Sequence, residues 1–472
     1  MLFNSFSFVL LVIITFSLYY LPFFRSVQIP ILIIASFIFY SANQPALLLL
    51  LISSIVINII TSYLVIYGKT KLKKIYAAAG VVANLSLLTF FKYSPLFGRT
   101  FFNGTGSLGE LLLMIPLPIG ISFYTFQGIS LLVDTFASDK MEKYKSLVHK
   151  SFFRHSLNTA LFISFFPKLV AGPIVKAHDF IPQIKEKTLK DIDWESCFRA
   201  LVLGYFLKMV VADNLKEQTF WIAFPYFQNF STATLLIMIF GYSMQIFADF
   251  AGYSLIAIGI ARLLGYNIRA NFNFPYISKT FSEFWTRWHI SLSSFLREYL
   301  YFPLGGNRIG KMRTYMNLMV VMFLGGLWHG AAWSYAMWGS FHGFALAVER
   351  FFRERINLPD TMLLNFLKMT VVFILVTFAW LLFKLPEFSH VMSYMEAIVK
   401  NADMPLSYVD LLLIKYNLLY SLPVCIYHLY YLYTKNGTSK ILKTLQPVIF
   451  ALLLFLIISN SGSPASFVYF QF

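Results

Sequence analysis

The feature that most constrains this chain is the recurrence, along nearly its whole length, of apolar stretches long enough to cross a bilayer. They fall at 5–24, 28–42, 45–67, 75–92, 111–136, 156–172, 197–213, 232–262, 315–332, 333–349, 364–384, 411–433 and 445–460. About 20 apolar residues suffice for a transmembrane helix. Composition agrees. Of the 472 residues 58% are hydrophobic and only 12% are charged, against about 25% charged in a soluble domain. That is too little polar surface to clothe a water-soluble particle of this size. Phe and Tyr, with 52 and 28 copies, suit lipid-facing and interfacial positions where part of a ring is dry and part is wet. The run Val448 to Ile458 contributes roughly −3 to −6 kcal/mol to insertion, with nothing charged to oppose it. The expected class is an all-α polytopic membrane protein of roughly 11–12 spans plus re-entrant or interfacial helices.

The net charge of +17 is read as the excess of Lys and Arg in cytoplasmic loops, not as a nucleic-acid surface. The basic residues cluster as Lys69, Lys71, Lys73 and Lys74; Lys140, Lys143, Lys145, Lys150 and Arg154; Arg308, Lys311 and Arg313; Arg350, Arg353 and Arg355; and Lys435, Lys440 and Lys443. All of these lie in the cytoplasm only if 156–172 does not fully cross. Both termini then lie outside. That segment ends Lys168-Leu-Val-Ala-Gly-Pro173, and its Lys and Gly-Pro break suit a re-entrant course shielded by protein. No Lys or Arg precedes Arg25, so the first segment lacks the basic start of a signal peptide and reads as a retained helix. No linker, low-complexity run or repeat stands out, and the polar stretch 176–196 is too short for a soluble domain. One membrane domain is expected over 1–472, its helices packed through small residues. Cys197 and Cys425 form no metal or redox spacing and read as packing residues.

The region 271–313 interrupts the apolar rhythm. Phe281, Trp285, Trp288, Leu292, Phe295 and Tyr299 recur at helical spacing, and Glu283, Arg287, Ser291, Ser294 and Glu298 form the opposite stripe. The pattern predicts an amphipathic helix at the interface, too polar to span. Pro275 marks a break upstream, and Gly305-Gly306-Asn307-Arg308 a turn afterwards.

Two histidines stand out. His289 borders the two stripes, and spacing alone allows either an interfacial histidine bonded to a neighbour or a functional one. His329 ends an apolar segment in Phe323-Leu-Gly-Gly-Leu-Trp-His-Gly330. An ionisable group there points to function, and the glycines allow a ligand or another backbone to come close. A packing histidine bonded to a carbonyl across a helix interface fits the residues equally well. For His342, on the next helix, the packing reading is stronger. His149, His155, His178, His390 and His428 are scattered and receive no role. The absence of a His-x-x-His pair, a metal-type carboxylate cluster, a P-loop and a nucleophile elbow argues against a metallohydrolase, a nucleotide-driven pump and a serine hydrolase.

Several stretches together resemble the core of the membrane-bound O-acyltransferases. They are Asp249-Phe-Ala-Gly-Tyr253, Trp285-Thr-Arg-Trp-His-Ile-Ser-Leu-Ser293, Leu304-Gly-Gly-Asn-Arg308 and Leu327-Trp-His-Gly330. Pro118-Ile-Gly-Ile-Ser-Phe-Tyr124, Ala171-Gly-Pro173 and Phe467-Val-Tyr-Phe-Gln-Phe472 resemble the bacterial alginate O-acetyltransferase branch. The resemblance implies a central tunnel lined by His329, as catalytic histidine, and His289, as its partner. It implies no bound cofactor and no metal. The donor would be acetyl-CoA or another acyl thioester on the cytoplasmic side. The acceptor would be an extracytoplasmic polysaccharide such as alginate, or a partner acetyltransferase, with the protein in a bacterial inner membrane. Arg297, Arg308, Lys311 and Arg313 are the candidate contacts for donor phosphate. They also fit the positive-inside bias. The competing readings are D-alanyl transfer to teichoic acid by the same fold, and a non-catalytic polysaccharide exporter or scaffold. A transporter would be expected to carry an inverted repeat, and none is seen.

Overall fold

The computed structural model describes residues 1–42, 45–139, 141–144, 146–170, 172–356, 359–434, 437, 440–463 and 467. Lys140, Lys145, Ala171, Lys435 and 468–472 therefore lie outside the described residues. Within them the regular structure is helical throughout, as the apolar pattern requires. Among the described residues six helices are long and apolar enough to cross a membrane: Pro22–Ser41, Leu47–Tyr67, Thr70–Phe102, Thr232–Leu263, Met362–Lys384 and Tyr408–Thr434. The other apolar segments are realised as helices that are shorter, such as Phe6–Tyr20, or carry more polar groups, such as Lys311–His329 and Trp333–Arg353. Large apolar side chains face outward on the spans, among them Leu49, Val82, Leu363, Phe366 and Leu429. Hydrocarbon is the medium in which such a surface is stable.

The chain divides into two compact units, Met1–Leu201 with Ser254–Ala270, and Val202–Tyr253 with Asn271–Phe472. In the first, helices are joined by buried polar pairs. Asn58 and Asn84 exchange reciprocal amide hydrogen bonds of 3.1 Å between Leu47–Tyr67 and the Lys73–Phe102 helix. His155 meets the Ser62 hydroxyl at 2.9 Å, and His178 meets the Asp134 carboxylate at 2.7 Å. Each gives a polar atom the partner that lipid cannot supply. The 156–172 segment is not one continuous helix. It breaks at Phe165 between Phe152–Ser164 and the short Phe166–Leu169 turn. Lys168, fully buried, donates to the Phe162 carbonyl, with its ammonium 4.3 Å from the Phe162 ring centre and 4.8 Å from that of Phe180.

In the second unit the helices Lys311–His329 and Trp333–Arg353 form a hairpin. A Cβ added at Gly326 would lie 2.2 Å from the Tyr335 carbonyl oxygen and 2.9 Å from the Gly339 Cα. Here the glycines admit another backbone. At the far end of the hairpin Lys311 pairs with Glu354 at 2.8 Å, and Arg350 pairs with the same carboxylate at 3.2 Å. The turn expected at 305–308 is present, with Gly305 at φ +100° and Gly306 at +57°. The Asn317 amide donates to the Leu304 and Gly306 carbonyls at 3.2 and 2.9 Å and holds it.

Gly326→Ala is expected to destabilise the protein by about 1–3 kcal/mol or more, because backbone, not a side-chain tip, occupies the space. Gly325→Ala should be milder, since its Cβ meets only the tip of Leu296 at 3.1 Å. Thermal melts of detergent-solubilised variants check the difference, and equal midpoints would contradict it.

Candidate active site

The segment expected to be one amphipathic helix is broken at its centre. Phe281–Arg287 and Ile290–Leu296 are separate helices, followed by a π-helical turn at Arg297–Tyr301. The break falls on His289, at φ +42° and ψ +54°. A non-glycine residue in the left-handed region is uncommon, and such strain persists only where its surroundings hold it. The 271–273 strip does so. The Asn271 carbonyl accepts from the Ile290 N–H at 2.9 Å, and the Asn273 N–H donates to the Arg287 carbonyl at 2.9 Å. The Asn271 side-chain oxygen accepts from the Ser291 hydroxyl at 2.6 Å.

The predicted apolar stripe of this element faces inward, while Glu283, Arg287, Ser294 and Glu298 of the opposite stripe are only partly buried. Phe281, Phe284, Trp288, His289, Ser291, Leu292 and Phe295 are all buried. Its charges are satisfied locally: Arg287 pairs with Glu283 at 2.9 Å. Glu349, from the hairpin, accepts from the Phe281 and Ser282 N–H groups and caps the first helix, which favours a carboxylate there. Helical spacing revealed the apolar stripe, but no periodicity signals a break between two helices of the same register.

The break and the hairpin bring the two histidines together. The His289 and His329 ring centres are 6.3 Å apart. His289 is fully buried and His329 is 3% exposed. His329 is the last residue of its helix, set among the edges and faces of Trp328, Trp338 and Phe383 at 5.0–5.3 Å. The Phe250 ring meets His289 edge-to-face at 4.6 Å. His329 lines a cavity of about 240 Å³ whose wall also includes Trp285, Ser293, Leu296, Arg297, Tyr301 and Gly325. His289 does not line this cavity, contrary to the expectation that both histidines do; its ring lies behind His329, which borders the mostly apolar wall together with the cation Arg297.

Of the four basic residues singled out, only Arg297 lines this cavity. Arg308, Lys311 and Arg313 lie exposed around the turn and the start of the hairpin, and Lys311 is engaged with Glu354. His342 lies behind the cavity wall, its ring 4.8 Å from Trp338 and 5.1 Å from Trp285. That suits a packing role. His390 stacks on Phe224 at 4.2 Å and His428 meets the Val424 carbonyl at 2.9 Å.

The Asp249–Tyr253 motif acquires a physical meaning. Lys208 sits between Asp213, at 2.5 Å, and Asp249, at 2.8 Å, with all three side chains 2% exposed. Lys208 lies on a π-helical stretch, Phe206–Ala212. A Cβ at Gly252 would come within 2.8 Å of the Gly204 carbonyl and 2.9 Å of the Lys208 nitrogen. Tyr253 places its ring 5.3 Å from the Lys208 ammonium. Phe250, the next residue in the motif, is the one that meets His289. The sequence reading passed over Lys208 and Asp213, although charges inside the apolar segments 197–213 and 232–262 were the available signal. Among the described residues no cluster of three or more His, Cys, Asp or Glu could hold a metal ion.

Comparison with known proteins supplies the family. The sequence profile of the membrane-bound O-acyltransferase family matches residues 33–388. A peptidoglycan O-acetyltransferase of Helicobacter pylori is 33% identical, over 93% of this chain and 91% of its own length. A probable alginate O-acetylase of Pseudomonas aeruginosa is 36% identical, over 81% of this chain and 72% of its own. A teichoic acid D-alanyltransferase of Bacillus subtilis is 28% identical, over 58% of this chain and 70% of its own. The chain belongs to the membrane-bound O-acyltransferase family and is a multi-pass membrane acyltransferase.

Lys208→Leu leaves two buried carboxylates uncompensated and is expected to cost about 3–5 kcal/mol. Replacing Asp213 and Asp249 with Leu as well should restore much of that loss. Folded yield and thermal midpoint in detergent report both effects. A single variant as stable as the native protein would show the triad to be dispensable.

Proposed function

We propose that this protein transfers an acyl group, with acetyl the expected one, from a cytoplasmic thioester to a hydroxyl bound for an extracytoplasmic polysaccharide. The observation that carries the reading is His329, which borders a cavity whose wall also includes Arg297, with the His289 ring 6.3 Å behind it. The transfer needs a base to take the proton of the attacking hydroxyl, and neutral imidazole suits this near pH 7. His329, bordering the cavity, takes that proton. The hydroxyl oxygen attacks the thioester carbonyl, the carbon–sulfur bond breaks, and the thiolate leaves and recovers a proton. A thioester is already activated, so the step requires no metal. His289 orients the hydroxyl or polarises the carbonyl once the bound substrate opens the wall between it and His329, and its fixed backbone holds it there.

Arg297 pairs the phosphate of the donor, coenzyme A or a carrier-protein arm, while the apolar wall of the cavity holds the part of the chain that reaches His329. Arg308, Lys311 and Arg313 then lie on the cytoplasmic face, supplying positive potential to an arriving anionic donor. This orientation puts the donor where activated acyl groups are made and lets the acceptor, a glycan or a partner acetyltransferase, be served outside. The acceptors named for the relatives, peptidoglycan and alginate, both fit an envelope or secreted glycan, with the protein in a bacterial inner membrane. D-alanine is the other acyl group the relatives offer. The fuller coverage by the acetyl-transferring relatives, 93% and 81% of this chain against 58%, favours acetate.

His329→Ala is expected to lower acyl transfer by about 10²–10⁴-fold at unchanged membrane abundance. Normal product acylation would refute the assignment. Arg297→Gln should raise donor KM, reduce the salt sensitivity of donor binding and leave insertion intact. Donor titrations at two ionic strengths check this. An unmoved affinity would assign Arg297 to topology alone.

A further inference from the structure

The first unit contains a second cavity, of about 380 Å³, where the chain passes from the Phe6–Tyr20 helix into the Pro22–Ser41 span. Its wall carries three cations, Arg25, Lys187 and Lys190, and among the described residues that line it there is no carboxylate. The floor is built. Gln28, 4% exposed, donates to the Tyr19 and Lys187 carbonyls at 2.9 Å, and its side-chain oxygen accepts from the Lys187 N–H at 2.9 Å. The nearby Asp191 is committed elsewhere, accepting from the Thr188 N–H at 2.7 Å and the Thr188 hydroxyl at 3.0 Å.

Lys187 is held in place, and Asp191, the acid that acts on it, is not among the residues lining the cavity. Lys187 is 6% exposed, and its ammonium lies 5.1 Å from the Tyr266 ring centre. Burial, then the neighbouring Lys185, lowers its pKa, and Asp191 offsets this only in part. A cation in that setting is stabilised by an incoming anion. Around the rim, apolar side chains point outward: Leu21, Phe23, Val27 and Leu189 are 48%, 86%, 39% and 50% exposed. The cavity opens at the end of membrane helices, the depth at which lipid headgroups lie. A soluble phosphate compound would have no use for such a collar, whereas a phospholipid would cover it.

We propose that this cavity binds the phosphate headgroup of an anionic phospholipid, with the acyl chains lying against Leu21, Phe23 and Leu189. The site is separate from the histidine pair, and the inference does not depend on the acyltransfer reading. Each cation near an anionic lipid surface is worth about fivefold in affinity.

The full-length protein, purified in nonionic detergent, is titrated with short-chain phosphatidylglycerol, the phosphatidylcholine of equal chain length, and inorganic phosphate, with binding followed by native mass spectrometry and thermal shift. The expected result is saturable binding of phosphatidylglycerol, weaker binding of phosphatidylcholine, and at least a tenfold loss of phosphatidylglycerol affinity in Arg25→Gln/Lys190→Gln. Lys71→Gln/Lys74→Gln, an exposed basic pair elsewhere in the unit, should bind as the native protein does. Arg25 and Lys190 are themselves exposed, so their variant should fold, and its lipid-free melting point verifies this. Lys190→Glu alone should weaken binding in the same direction. Equal phosphatidylglycerol affinity in the native protein and Arg25→Gln/Lys190→Gln overturns the proposal. So does equal binding of the two lipids, or displacement of phosphatidylglycerol by inorganic phosphate at equal concentration, which would assign the cavity to a soluble phosphate.

Discussion

The close approach of Gly326 to Gly339 places His329. With backbone atoms within 3 Å of where side chains would begin, the two hairpin helices can pack at one depth only. The last turn of the first helix then brings its histidine against the wall of Trp338 and Phe383. Dispersion and ring-edge contacts fix the imidazole there. Glu349, further along the second hairpin helix, caps the broken element that bears His289. One backbone contact thus sets the hairpin, and the hairpin ties down both halves of the histidine pair.

The break at His289 is the complementary device. A straight helix through 281–296 would continue the stripe and carry the imidazole around its circumference. The left-handed residue stops the first helix, restarts the second and places His289 against Phe250 and toward His329. The conformation costs of order 1–3 kcal/mol, and the hydrogen bonds from Asn271 and Asn273 offset it. Backbone strain held by a rigid clasp is a common way to pre-orient a reacting side chain.

The second unit also concentrates charge where lipid would forbid it. Lys208, Asp213 and Asp249 set one ammonium between two carboxyl groups within hydrogen-bonding range. Such a group is tolerated because its members satisfy one another, and it is intolerant of losing one. Asp249 and Phe250 are adjacent in the chain. The ionic core and the histidine contact are thereby placed by the same turn of helix, which explains why one short motif contains both.

Much was legible in the residues. Apolar runs of bilayer length specify helices, because no other open structure satisfies its backbone in hydrocarbon. His329 was legible as an ionisable residue beside glycines in an apolar run, and the 305–308 turn from its paired glycines. The cleft between two helices at His289 was not, since the side-chain pattern on either side is continuous and the clasp comes from Asn271, 18 positions earlier in the chain. The Lys208 triad was visible only as isolated charges. Their pairing joins residues up to 41 positions apart, from 208 to 249. The sequence by itself determined the helical membrane class and marked His329 as a candidate, because hydropathy and intramembrane charge are local properties, while the pairing with His289 was implied only by the family resemblance. The tertiary structure alone decided that those histidines lie 6.3 Å apart, that Arg297 borders the cavity of His329 and that Arg308, Lys311 and Arg313 do not. Those facts depend on packing distances between distant segments, which no local pattern encodes.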